Sequence, residues 1–95
     1  MLHFRKNITK QLQIAGVSDH VKMSILSDIF GCQQGATFEQ GVVDSFDDAD
    51  VLSRFKSLLP AWKALVGEKG ESFHHWFRKY KMVKIMKHIN RPVRI

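Results

Sequence analysis

Residues 47–67 read DDADVLSRFKSLLPAWKALVG, and the periodicity of this stretch decides the fold. At about 100° per residue, Val51, Leu52, Phe55, Leu58, Leu59, Trp62, Leu65 and Val66 fall within an arc of roughly 140°, as on an amphipathic helix. Asp47, Asp48 and Asp50 place negative charge where the positive end of the helix dipole should stand. Pro60 lacks an amide proton and crowds the preceding turn. The apolar stripe nevertheless keeps its phase across Pro60, and Pro60 points away from it. The expectation is one kinked helix, with a break into two collinear pieces as the alternative.

Working toward the N-terminus, Phe4, Ile8, Leu12 and Ala15 recur at helix spacing and Gly16 is placed to cap their helix. Ser18 and Asp19 can accept hydrogen bonds from the next free amides, and Val21, Ile25, Leu26 and Ile29 form a second stripe that ends at Gly31. These two stretches predict a helical hairpin. From Cys32 to Asp48 the periodicity fails, which predicts a connection with one short helical turn, a strand between Thr37 and Phe46 being the alternative.

Toward the C-terminus, Gly67 and Gly70 separate the third helix from a fourth, expected to start near Glu71 or Ser72 and run to Ile89, before Pro92. Its apolar face reverses partway. Phe73, Trp76, Phe77, Tyr80 and Val83 lie on one side, Met82, Ile85, Met86 and Ile89 nearly opposite, and Lys84 and Lys87 stand where the first stripe would continue. Either the helix bends over its own domain, or its second half meets something outside the chain. The aromatic residues, at helical spacing, are expected in the core against the third helix. The fold class expected is all-α: a bundle of about four helices with a long irregular connection between helices two and three.

The chain has 95 residues, 44% of them hydrophobic and 25% charged, which suits a single helical domain over residues 1–95 and excludes pervasive disorder. No run of about 18 apolar residues occurs and the first ten residues lack the apolar centre of a signal peptide, so an intracellular protein without membrane contact is expected. One cysteine, Cys32, excludes an internal disulfide and a cysteine-based zinc site.

The net charge of +6 is unevenly spread: residues 1–30 carry +2, residues 31–70 carry −2 and residues 71–95 carry +6. Arg78, Lys79, Lys81, Lys84, Lys87, Arg91 and Arg94 form a cluster that could neutralise phosphates. A solvated helix face would use the same residues. Chemistry-bearing groups are otherwise sparse. His74 and His75 are adjacent and diverge by about 100° on a helix, so they do not share a metal easily. Asp44, Asp47, Asp48 and Asp50 lack the central Gly and terminal Glu of a calcium loop. No phosphate loop, serine elbow or spaced carboxylate pair is present. Neither a metal nor a cofactor is expected.

The order of several pieces resembles a stretch of MULE-type (Mutator-like) transposases of animal transposable elements. These are His3-Phe4-Arg5-Lys6-Asn7-Ile8, Asp28-Ile29-Phe30-Gly31, Phe38-Glu39-Gln40-Gly41-Val42-Val43-Asp44, Trp62, Phe73-His74-His75-Trp76-Phe77 and Asn90-Arg91-Pro92-Val93-Arg94. The resemblance spans nearly the whole chain and rests on order and spacing. It implies a helical insertion lying between the second catalytic Asp and the catalytic Glu of an RNase H-like core. His3 is similar to the His of the family's Cys-x-x-His element. No member of the catalytic triad is carried over, and neither Glu39 nor Asp44 takes that role, so the chain looks like a truncated gene product, a relic or an excised domain. The resemblance therefore implies a non-enzymatic, nuclear fragment that binds DNA backbone without sequence preference through its basic C-terminal helix. The alternative is a protein-interaction module whose Met82, Ile85, Met86 and Ile89 face docks on the remainder of a transposase or on another copy.

Overall fold

A computed structural model describes residues 2–89. Its helices are α1 (Leu2–Ala15), α2 (Asp19–Phe30), α3 (Asp48–Val66), α4 (Glu68–Tyr80) and α5 (Met82–Ile89). Strands β1 (Cys32–Gln34) and β2 (Thr37–Glu39) and a 3₁₀ turn, Val42–Asp44, occupy the connection between α2 and α3. The protein is a small, mostly α-helical bundle, as its periodicity predicts. The alternative of a strand from Thr37 to Phe46 survives only as β2, paired antiparallel with β1 so that Gln33 faces Phe38. Gly31 and Gly41 close the base of this hairpin, because a Cβ on Gly41 would collide with the Gly31 amide and the Ile29 carbonyl.

Local signals set the ends of α2 and α3. The Ser18 side chain accepts from the Val21 amide at 3.3 Å, and Asp47 accepts from the Asp50 amide at 2.9 Å, each satisfying a donor that the first turn leaves free. Asp50 in turn accepts from the Phe46 amide and from Arg54 Nε, at 2.8 and 3.0 Å. Helix α3 continues through Pro60 as a single element. Its buried face is narrower than the stripe: Val51, Phe55 and Trp62 are enclosed, whereas Leu52 and Leu65 are exposed.

All five helices contribute to one core. Phe4, Ile8 and Leu12 from α1 and Val21, Ile25, Leu26 and Ile29 from α2 meet Phe55 and Trp62 from α3 and Phe73 and Phe77 from α4. The Trp62 indole is fully enclosed and donates Nε1–H to Asp28 Oδ2 on α2 at 2.9 Å. Phe77 stacks on Phe55 at a centroid separation of 5.4 Å and meets Phe4 edge-on at 6.4 Å, joining three helices.

The C-terminal half departs from expectation in three ways. Helix α4 begins at Glu68, and Gly70 lies inside it rather than before it. A Cβ on Gly70 would collide with the Trp62 carbonyl, so the glycine lets α4 approach the α3 backbone. That approach turns His74 inward beside Phe73 and Phe77 and leaves Tyr80 exposed, Trp76 being half-buried. The expected fourth helix is also divided at Lys81, between α4 and α5. Finally, Met82 and Ile85 are 4% and 2% exposed, and Met86 packs against the same core. The expectation that Met82, Ile85 and Met86 form an open docking face is thus corrected: the break at Lys81 redirects the chain, and the reversed stripe faces the domain's own interior. The Ile89 side chain lies outside the described residues.

Candidate nucleic-acid interface

The C-terminal cations divide into two groups. Arg78 and Lys79 in the last turn of α4, and Lys84 and Lys87 on α5, are exposed. Lys81, between them, is 7% exposed and leaves the cluster. Its ammonium stands 5.7 Å from the Phe4 ring centre and 5.6 Å from that of Trp76, an arrangement in which aromatic faces partly replace water around a cation. Burial, and secondarily the Lys84 charge, hold its amine below the usual lysine range. The expectation that Lys81 meets phosphate is corrected accordingly: it occupies the junction of α4 and α5, enclosed against Phe4 and Trp76. Arg91 and Arg94 lie outside the described residues.

Among the described residues, the ion pairs are Lys22 with Asp19, Arg54 with Asp50 and Lys63 with Glu71. None uses Arg78, Lys79, Lys84 or Lys87. Acidic residues on α4 are confined to its first turn, Glu68 and Glu71, at the end remote from Arg78 and Lys79. Like charges are therefore grouped where they can neutralise an extended anion.

Sequence reasoning passed over a second basic surface. Arg5, Lys6 and Lys10, with Thr9 and Gln13, line a shallow depression of about 540 Å³ on the outer side of α1. The signal was available, since Lys6, Lys10 and Gln13 occupy the face of α1 opposite Phe4, Ile8 and Leu12, Arg5 flanks it over the Phe30 ring, and no acid interrupts that helix. Lys81 meets Phe4 on the core-facing side of α1, so this second surface, lined by α1 residues alone, is separate from the first.

His74 lies in the cleft between α3 and α4 that Arg78 also lines. Its Nε2 is 2.8 Å from the Phe55 carbonyl and its ring stacks on Phe55 at 3.8 Å. The carbonyl can only accept, so Nε2 carries the proton and donates. Burial is the main cause that pushes the His74 pKa below the ordinary value, with the Arg78 charge acting in the same direction. This histidine is a neutral core residue. His75 is exposed, and among the described residues no group of three His, Cys, Asp or Glu side chains is arranged to hold a metal. No described helix is long and apolar enough to cross a membrane.

Comparison with protein-family models, curated proteins and solved structures finds no match.

Proposed function

We propose that this chain is a DNA-backbone-binding helical module, a non-catalytic insertion segment of a Mutator-like transposase acting in the nucleus. The observation that carries the DNA-binding part is the group of exposed cations Arg78, Lys79, Lys84 and Lys87, none engaged in an ion pair among the described residues. Arg5, Lys6 and Lys10 provide a second positive surface on α1. Such a surface supplies affinity through counterion release and carries no code for base identity. The transposase assignment rests on the ordered sequence pieces from His3 to Arg94, and the absence of the family's triad makes the segment a scaffold rather than a nuclease.

The test is fluorescence anisotropy with unrelated duplexes across a salt series. Four phosphate contacts predict a logarithmic salt slope of about −3.6, the same for each sequence. Folded protein that gives no binding at about 50 mM salt leaves the cations as a solvated surface and rejects the proposal. Magnesium or manganese should elicit no strand cleavage; metal-dependent nicking abolished by a substitution in this chain would reject the non-catalytic part.

A further inference from the structure

Phe46 is 88% exposed, more than any other large apolar side chain described. It precedes the N-cap Asp47, where an apolar residue commonly folds onto the fourth helical position, here Val51. Val51 is fully buried without it. The ring instead projects from an acidic run, residues 44–50, DSFDDAD, that includes Asp44, Asp47, Asp48 and Asp50.

The complement of this knob is a cleft of about 680 Å³ between α3 and α4. Leu52, Phe55 and Leu59 provide its apolar surface and Lys56, His75 and Arg78 its basic groups. Its one carboxylate, Glu71, is already paired with Lys63 at 3.0 Å. The cleft thus offers apolar contact beside unmatched positive charge, and the Phe46 run offers an aromatic ring beside the exposed carboxylates of Asp44 and Asp47, Asp50 being paired with Arg54.

We propose that two copies of this chain pair through these features, Phe46 of each entering the α3–α4 cleft of the other. Phe46 is 88% exposed and does not line the cleft of its own copy. A twofold axis passing between them lays the two α3 helices antiparallel and makes both contacts equivalent, giving a closed, self-complementary dimer. The exposed Asp47 of one copy then faces Lys56 and Arg78 of the other, which fixes the direction of pairing despite the overall positive charge. This pairing shares Arg78 with the DNA-binding surface but rests on Phe46 and Lys56, which that proposal does not use.

Sedimentation equilibrium of the full chain tests the pairing. The wild type should dimerise reversibly, while Phe46→Ser and Lys56→Glu should each weaken dimerisation about tenfold or more. Both side chains are exposed, so the circular dichroism spectra and melting temperatures should be those of the wild type. An equimolar mixture of the two variants should associate more tightly than either alone, because one intact Phe46 still meets one intact cleft. The proposal is overturned by a wild type that stays monomeric at about 1 mM, by a Phe46→Ser dimer as tight as the wild type, or by a mixture that recovers nothing. A Phe46→Ser variant that loses self-association while retaining its salt-dependent DNA affinity separates the two proposals.

Discussion

The indole N–H of Trp62 donates to the Asp28 carboxylate across 2.9 Å, linking α3 to α2 over 34 residues of sequence. This bond satisfies a donor on a side chain that no solvent reaches. It also takes a carboxylate half out of water, and burial raises the Asp28 pKa more than the hydrogen bond lowers it. The folded protein therefore holds the Asp28 proton more tightly than the unfolded chain, so this residue's contribution weakens as pH rises from the ordinary carboxylate value toward the raised one. Asp28→Asn keeps an acceptor and removes the charge; its chemical-denaturation stability at neutral pH should equal or exceed that of the wild type. Asp28→Ala leaves the indole unpaired and should cost about 1–3 kcal/mol.

Gly70 is where α4 approaches the backbone of α3. Gly70→Ala would normally favour a helix, but the added methyl meets the Trp62 carbonyl. The substitution should lower stability by about 1–3 kcal/mol through forced separation of the helices. An increase in melting temperature would show that the two backbones can separate without loss.

His74 predicts an acid-side loss of stability. Its folded pKa lies below the ordinary 6.5, so the unfolded chain takes up the proton first. The stabilisation is complete above about pH 6.5 and declines as pH falls from there toward the folded value. Denaturation midpoints should drop through this window in the wild type. The drop should shrink in His74→Gln, which can still donate to the Phe55 carbonyl.

Ile85 is 2% exposed. Ile85→Ser combines lost apolar burial, a cavity and a hydroxyl in the core, and should cost about 3 kcal/mol or more. A thermal melt unchanged by the substitution would contradict the packing of α5 against the bundle.

The Lys81 ammonium should be silent in DNA binding. Lys84→Ala and Lys87→Ala should each flatten the logarithmic salt slope by about one unit if their residues meet phosphate, whereas Lys81→Met should leave it unchanged. Lys10→Ala tests whether the α1 surface takes part. Equal effects from Lys81 and Lys84 would return Lys81 to the interface.

Helices α1, α2 and α3 were legible because each combines a long apolar period with a capping residue, as in Ser18 with Val21 or Asp47 with Asp50. The start of α4 was not, since a glycine that ends a helix and one that admits a neighbouring backbone look alike in sequence; Gly70 proved to be the second kind. The break at Lys81 was visible as a reversal of apolar face, but its direction depended on packing. Lys81 itself was hidden, because a long charged side chain enters a core only when aromatic faces such as Phe4 and Trp76 accept its ammonium. The exposed cations of α4 and α5 were visible as a dense run in the sequence, whereas those of α1 were passed over because their local density is lower. The hairpin was legible only as the alternative of a strand starting at Thr37, because three-residue strands that bury almost nothing show no alternation.

The contact between Gly31 and Gly41 makes the segment between them an appendix to the bundle. Its two strands are joined at Gly35, where an added side chain would meet nothing within 4 Å, and residues 33–40 are all exposed. Lengthening a loop whose ends are already held together adds little entropic cost, about 0.6 kcal/mol per doubling. The tip between Gln34 and Thr37 is therefore a natural grafting point: a fluorescent reporter or epitope tag spliced there should ride on the protein without altering the helices beneath it.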